Sequence, residues 1–302
     1  APISNKEERV SMNPYRIFLV LFLFSFLFGC GGAKEEVVLK FTAIPGDSTT
    51  ELAAKFEPFE KYLSGKLGVK VQYVPTADYA ASVDSFVNGD VHLAWFGGLT
   101  GVRARMKVEG SRAIAQGKVD PQYKTYFIAH KDSGLKPGTE FPSDLRGKKF
   151  TFGSSGSTSG RLMPTHFITK FTGETVDQFF GSVPHFSGSH EKTAQLVSAG
   201  TFHAGAIDYK TYDRLVAEKK IDPKVCYVIW TTPVYPDYNW TAHPDLDKKF
   251  GEGTIDRLQK IMIEMTDTEL LKAINRQEGL IPAKNEEWDD LAGLAKELGL
   301  LR

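Results

Sequence analysis

The sequence predicts an α/β fold in two lobes with a ligand cleft between them. Strand-like and helical segments alternate in two series, from Val37 to Phe96 and from Lys149 to Trp230, the pattern of sheets covered by helices. No long linker or low-complexity stretch divides the series, so the two units are expected to face each other across a shared crevice. A length of 302 residues points the same way, at about 100–200 residues per domain. Hydrophobic residues at 41 % and charged residues at 25 % exclude a disordered, collagen-like or coiled-coil chain. Lys+Arg and Asp+Glu balance at 37 each, which removes the electrostatic footprint of a nucleic-acid binder. Two cysteines, Cys30 and Cys226, cannot build a disulfide framework or a cysteine zinc site.

The first element is an address. Ile17 to Phe28 is a continuous apolar run preceded by Arg16. As a helix it would reach only ~18 Å at ~1.5 Å per residue, short of a ~30 Å hydrocarbon core, so it reads as a secretory signal. Met12 reads as the start, with 1–11 an upstream extension. The segment ends at Leu27-Phe28-Gly29-Cys30, which resembles the bacterial lipobox, with Phe28 in place of the usual small or aliphatic residue. That resemblance implies lipidation of Cys30 and a protein tethered outside the cytoplasmic membrane. Residues 1–30 are thus assigned to extension and signal, and 31–36 to a tether.

Val37–Ile44 is the first strand, broken by Pro45-Gly46-Asp47. Ser48 or Thr49 caps a helix through Leu63. Val69–Val74 is a strand, Tyr79–Asn88 a helix and Leu93–Phe96 a strand: βαβαβ, hence a parallel sheet. Tyr123–His130 is a further strand. The second series runs through strands at Lys149–Phe152, Ser182–Phe186, Ala204–Ile207 and Val225–Trp230, with helices at Leu162–Phe171 and Lys192–Ala199. Leu246–Leu300 reads as almost wholly helical. Crossings near Ala129–Lys131 and Trp230–Thr232 give lobe 1 as 37–129 and 232–302 and lobe 2 as 130–231.

The most informative loop, Gly153 to Gly160, joins a strand to a helix. Ser157 is a good cap, and Thr158, Ser159 and Gly160 then present backbone N–H groups at the positive end of the helix. Three successive hydroxyls add donors, and a tetrahedral oxyanion is the natural guest. Pro164 should kink or shorten this helix. No Gly-Lys-Ser/Thr follows the glycines, Thr158 stands where a Gly-x-Ser-x-Gly nucleophile would be, and no Gly-x-Gly-x-x-Gly occurs. No cofactor is implied.

At Ser157-Thr158-Ser159-Gly160 the chain resembles the phosphonate/phosphite-type periplasmic binding proteins of ABC importers. Asp78-Tyr79-Ala80, Leu93-Ala94-Trp95-Phe96-Gly97, Ser189-His190-Glu191-Lys192-Thr193-Ala194 and Ile229-Trp230-Thr231-Thr232-Pro233 resemble further blocks of that family, in order. The resemblance implies a type II periplasmic-binding-protein fold that closes on phosphite, a phosphonate or phosphate, performs no chemistry, and hands its ligand to an ABC permease as a monomer. Carried over by position, Ser157, Thr158 and Ser159 hold the anion, Tyr79 and Tyr123 donate to it, and His190 contacts it. Asp208 lies where the family often has an acid. Phe96 replaces the usual Tyr and lacks its hydroxyl. Tyr235, Tyr238, Asn239 and Trp240 are looser counterparts expected to line the pocket.

Asp208 reads equally as the cap of a helix starting at Tyr209. If it reaches the pocket, it favours oxyanions that carry a proton over sulfate-like ones, because a buried carboxylate facing a bare oxyanion costs several kcal/mol. His166, His185, His190 and His203 show no i,i+4 metal pair, so no metal is expected. A selenate- or sulfate-like ligand, suggested by Phe96 and the aromatic 235–240 segment, is the nearest alternative. A sensor lobe for a signalling partner and a secreted phosphoester hydrolase stand behind it. About five ligand atoms at ~1.5 kcal/mol each allow micromolar affinity only if nearly every oxygen is paired, which requires both lobes.

Overall fold

The computed structural model describes Pro2 and residues 37–46 and 49–301, with Thr49 as backbone only. The apolar signal, Cys30, the tether and the Ser48 cap lie outside the described residues.

The chain opens with strand β1 (Leu39–Ala43), the helix Thr49–Leu67, β2 (Val71–Tyr73), the helix Tyr79–Val87 and β3 (Leu93–Phe96). The first helix runs one turn beyond expectation. The helix Gly98–Lys107 and β4 (Arg112–Gly117) follow, and neither was foreseen. Gly98, Thr100 and Gly101 are poor helix formers, yet the glycines are required. A Cβ at Gly101 would lie 2.8 Å from Asn239 Oδ1, and one at Gly98 3.0 Å from Leu291.

After β5 (Thr125–His130) come β6 (Phe150–Phe152), the helices Met163–Thr172 and Val176–Phe180, and a short β7 (His185–Phe186). The helix His190–Ser198, β8 (Ala204–Asp208), the helix Tyr209–Ala217 and β9 (Cys226–Thr231) complete this series. The last part holds β10 (Asn239–Ala242), helices at Asp245–Phe250, Thr254–Ile263 and Thr268–Lys272, β11 (Leu280–Pro282) and the helix Asp289–Glu297.

These strands form two sheets, ordered β11-β4-β10-β3-β1-β2 and β7-β6-β8-β5-β9. The parallel pairing expected of the first βαβαβ run is found in β2-β1-β3, and β7-β6-β8 is parallel as well. β10 inserts between β3 and β4, antiparallel to both, with Trp240 opposite Trp95. All four β10 residues are buried, polar Asn239 and Thr241 included, so the four-residue strand has no solvent-facing side. β5 likewise runs antiparallel to β8 and β9.

Phe41, Phe56, Phe59 and Trp240 form the aromatic centre of the first core, with the Phe59 and Trp240 rings stacked at 5.3 Å. Trp240 therefore fills a core position and not the pocket assigned to it. A second core gathers Phe127, Phe150, Phe152 and Trp230 around the other sheet. Trp288, Leu291 and Ala295 of the tail belong to this same cluster and pack with Leu99 and Leu162, so the tail ties the two regions together. Burial of each such side chain is worth about 1.5–3 kcal/mol.

Candidate functional site

The Gly153–Gly160 loop leaves the end of β6 and enters a wide helical turn, Thr158–Leu162. Ser157 is its cap: its Oγ accepts from Gly160 N–H at 2.9 Å, and its carbonyl accepts from Leu162 N–H at 3.0 Å, five residues on. Pro164 explains the wide turn. It has no N–H to offer the carbonyls one turn back, and those are satisfied elsewhere. Thr125 Oγ1 donates to Ser159 O at 2.8 Å, and Gly153 N–H donates to Gly160 O at 2.9 Å. Instead of kinking, the helix opens its first turn. This leaves the N–H groups of Thr158 and Ser159 ahead of the helical ladder. A Cβ at Gly160 would sit 3.0 Å from His190 Cε1, so the loop and the His190 ring meet only over a glycine.

His190 is the first residue of its helix, capped by Ser189. Ser157 Oγ and Ser159 Oγ each lie 3.4 Å from His190 Nε2. Asp208 N–H donates to His190 Nδ1 at 3.3 Å, which assigns the neutral ring its proton on Nε2. Burial holds the ring below the ordinary histidine value, against the upward pull of Asp208, so the neutral form prevails at pH 7. His190 Nε2–H is thus a donor aimed toward the serines. It cannot also serve as a base for them.

Asp208 turns out to be both cap and wall. Its Oδ1 accepts from Thr211 N–H at 2.8 Å, capping the helix that begins at Tyr209, and from Tyr123 OH at 2.7 Å. Burial pushes its carboxyl up, but His190, Thr211 and Tyr123 outweigh that, and it stays below the usual carboxylate value. With the ring neutral, the Thr211 and Tyr123 bonds are what hold the charge. Its Oδ2 lies 3.5 Å from His190 Nε2 and has no hydrogen-bond partner among the described residues, although it is buried.

Tyr79, Tyr123, His190 and Asp208 line one cavity of about 80 Å³, together with Trp95, Tyr238 and Arg276. Tyr79 is placed by its neighbour. Asp78 Oδ1 accepts from Ala81 N–H at 2.8 Å and so starts the helix at Tyr79. Asp78→Ala is expected to cost about 1 kcal/mol of stability, read as a lower Tm, and to weaken ligand binding severalfold through Tyr79.

Ser157, Thr158 and Ser159 are not among the residues that line this cavity; their turn adjoins it at His190, whose Nε2 both serine hydroxyls approach. Phe96 and Tyr235, also expected in the site, lie elsewhere. Phe96 is fully buried in a core of its own, 5.6 Å from the Phe86 ring, because alternate residues of β3 face opposite sides and Trp95 takes the cavity side. Tyr235 does not line the cavity. Its backbone pairs with Tyr123, and its hydroxyl lies 2.6 Å from Thr125 Oγ1, so it braces the loop from behind. Asn239 is engaged by Arg105 and Thr241 in the core. Thr158 Oγ1 accepts from Leu99 N–H at 3.0 Å, which joins the loop to the start of the helix Gly98–Lys107.

Three residues of the site were not legible in advance. Trp95 and Arg276 line the cavity, and Asp237 stands beside Thr158. Asp237 Oδ1 accepts from Gly98 N–H at 2.9 Å, while its buried Oδ2 has no partner among the described residues. Burial pushes its carboxyl up to about 7, against the bonds from Gly98 and Thr158. Among the described residues, no group of three or more His, Cys, Asp or Glu side chains could hold a metal ion.

Residues 41–288 match the protein family described as ABC transporter, phosphonate, periplasmic substrate-binding protein. The chain is 34 % identical over 272 residues to the probable ABC transporter phosphite binding protein PhnD1 of Prochlorococcus marinus (strain MIT 9301), covering 88 % of this chain and 91 % of that protein. It is 29 % identical over 244 residues to the phosphate-import protein PhnD of Mycolicibacterium smegmatis (strain ATCC 700084 / mc(2)155), covering 77 % and 73 % respectively. The fold matches the 1.52 Å structure of the Prochlorococcus marinus PhnD1 in complex with methylphosphonate at a TM-score of 0.82, over 87 % of this chain and 98 % of that one, at 34 % identity.

Proposed function

Because this chain belongs to the periplasmic substrate-binding proteins of phosphonate ABC transporters, we propose that it is a lipid-anchored receptor that closes on phosphite or a small phosphonate and delivers it to an ABC permease. One observation carries the ligand class. Asp208 Oδ2, buried and without a partner among the described residues, faces the same cavity as the Nε2–H of neutral His190. A ligand that fits must accept hydrogen bonds on most of its oxygens and donate one. A phosphorus oxyanion with a P–OH does both. Sulfate and selenate have no proton near neutral pH and would set a bare charge against Asp208.

The oxyanion is placed against the Thr158 and Ser159 N–H groups and the hydroxyls of Ser157 and Ser159, with Tyr79 and His190 completing its donors. The remaining substituent then lies toward Trp95, Tyr238 and Ile44, walls that suit a P–H or a methyl group better than a fourth oxygen. Phe96, sunk in a core, lends no weight to the sulfate-like alternative. The protonation of His190 argues against a hydrolase, since neither nearby serine has a base.

For the proposed lobes we take the first crossing just before Thr125 rather than at Ala129–Lys131, a choice supported by the pairing of all of β5 with β8 and β9. Lobe 2 is then about 125–231, and 37–124 with 232–302 form lobe 1. The Leu99–Thr158 hydrogen bond and ion pairs Lys210–Glu278 (2.5 Å) and Lys220–Glu51 (3.9 Å) span these lobes, as a closed cleft requires. Anchoring through Cys30 rests on the lipobox resemblance, and metabolic labelling with a palmitate analogue, lost in Cys30→Ala, tests it.

A thermal-shift series decides the ligand. Phosphite and methylphosphonate at about a hundredfold over Kd should stabilise the protein by about 2.7 kcal/mol, with sulfate and selenate without effect. Equal stabilisation by sulfate would overturn the assignment.

A further inference from the structure

Arg276 is 2 % exposed, yet it comes from a loop near the carboxyl end and reaches the cavity. Its Nε donates to both oxygens of Asp120 at 2.9 and 3.0 Å, and its Nη2 donates to Asp120 Oδ1 at 2.7 Å. Nη1 donates to Ile274 O at 3.1 Å and Asn275 O at 2.9 Å. Asp120 is itself fixed: its Oδ2 accepts from Gly117 N–H at 2.7 Å, at the end of β4. The guanidinium is therefore held rigidly from two sides in a single orientation.

Three rings pack on it. Its carbon lies 4.7 Å from the Tyr238 ring centre, 5.1 Å from Tyr123 and 5.4 Å from Trp95. All three line the cavity, alongside Phe56 and Tyr79, and they also pack on one another, Trp95 on Tyr238 at 5.4 Å and Tyr123 on Tyr238 at 5.3 Å. Tyr123 in turn donates to Asp208. A planar cation stacks on aromatic faces in a way an ammonium on a flexible stem cannot.

We propose that Arg276, locked by Asp120, is a positioning residue that sets the aromatic wall formed by Trp95, Tyr123 and Tyr238, and that it thereby determines which substituent on phosphorus the receptor prefers. The proposal rests on the receptor reading above. It assigns selectivity to a residue that need not touch the oxyanion, acting through the spacing of the rings and through the Tyr123–Asp208 bond.

Two variants test it. Arg276→Lys keeps the charge and loses the planar fork. Asp120→Asn/Arg276→Met removes the ion pair together, keeps an acceptor for Gly117 N–H, and leaves no buried charge unpaired. Calorimetric affinities for phosphite and methylphosphonate are measured on each. The expected result is a change of at least fivefold in the ratio of the two affinities, with methylphosphonate binding weakened about tenfold or more. A ratio within twofold of the wild type in either folded variant overturns the proposal, whatever the change in Tm, because a purely structural role lowers stability without altering preference. Wild-type protein that binds neither ligand would instead overturn the receptor reading itself.

Discussion

Replacing Ser157 and Thr158 together by alanine is expected to weaken binding of phosphite or methylphosphonate by a hundredfold or more. On the proposed reading Ser157 Oγ meets the anion, while Thr158 Oγ1, which accepts from Leu99 N–H, anchors the turn whose N–H groups would face it; a hydrogen bond to a charged group is worth about 1.5–3 kcal/mol. Loss of the Ser157 bond, together with one N–H bond of a turn that has lost its Thr158 anchor, amounts to about 3 kcal/mol at the least, which is roughly two decades in Kd. The same substitutions also touch the scaffold, because Ser157 Oγ caps Gly160 N–H and Thr158 Oγ1 holds Leu99 N–H. Removing the cap costs about 1 kcal/mol of stability. Calorimetry on the folded protein separates the two effects: Tm falls by a few degrees, while affinity falls far more. Thr158→Ser should retain most of the affinity, since it keeps an acceptor for Leu99. Unchanged affinity in the double variant would move the anion site away from this loop.

The second large effect concerns pH. Asp237 titrates near 3.8 in an unfolded chain and at about 7 in the folded protein, where burial disfavours its charge. Between those values the folded state holds a proton that the unfolded state has lost. Stability from this group is therefore intact below about pH 4 and declines by about 1.4 kcal/mol per pH unit up to about 7. The whole effect is about 4 kcal/mol. His92 works in the opposite direction over part of the range. Burial, with Lys249 nearby, pushes it down to about 4, so its contribution is present above its unfolded value and is lost on acidification. The wild-type profile alone would mix the two. The difference in unfolding free energy between wild type and Asp237→Asn isolates the aspartate. The amide cannot ionise, so the variant should gain on the wild type from pH 4 to 7 and hold its advantage above. A difference that does not change with pH would show that Asp237 is ionised throughout.

Much of this was legible in the sequence because the deciding residues are adjacent in it. Ser157 to Gly160 sit together at a strand–helix junction, Asp78 precedes Tyr79, and Ser189 precedes His190, so capping chemistry alone marks where donors cluster. The ambiguity over Asp208 was real: the structure gives Oδ1 the cap and leaves Oδ2 buried without a partner among the described residues. What could not be read are the long-range meetings. Arg276 finds Asp120 across 156 residues, and nothing local to either announces the other. Asp237 is buried only because Gly98 and Thr158 converge on it. The strand at Asn239–Ala242 is only four residues long and buried on both faces, with polar Asn239 and Thr241 engaged inside, so it read as part of the aromatic 235–240 segment. That Phe96 and Trp95 face opposite sides follows from strand alternation, but which of the two meets the cavity does not.

The position of β10 has a consequence for biosynthesis. It lies between β3 and β4, but it is made more than a hundred residues after either. The six-stranded sheet therefore cannot assemble as its early strands appear; it waits, gapped, until the chain is four-fifths complete. Such non-local pairing slows folding. Under the export that the proposed signal implies, that delay would keep the nascent chain pliable for transit and postpone the final zippering to the far side.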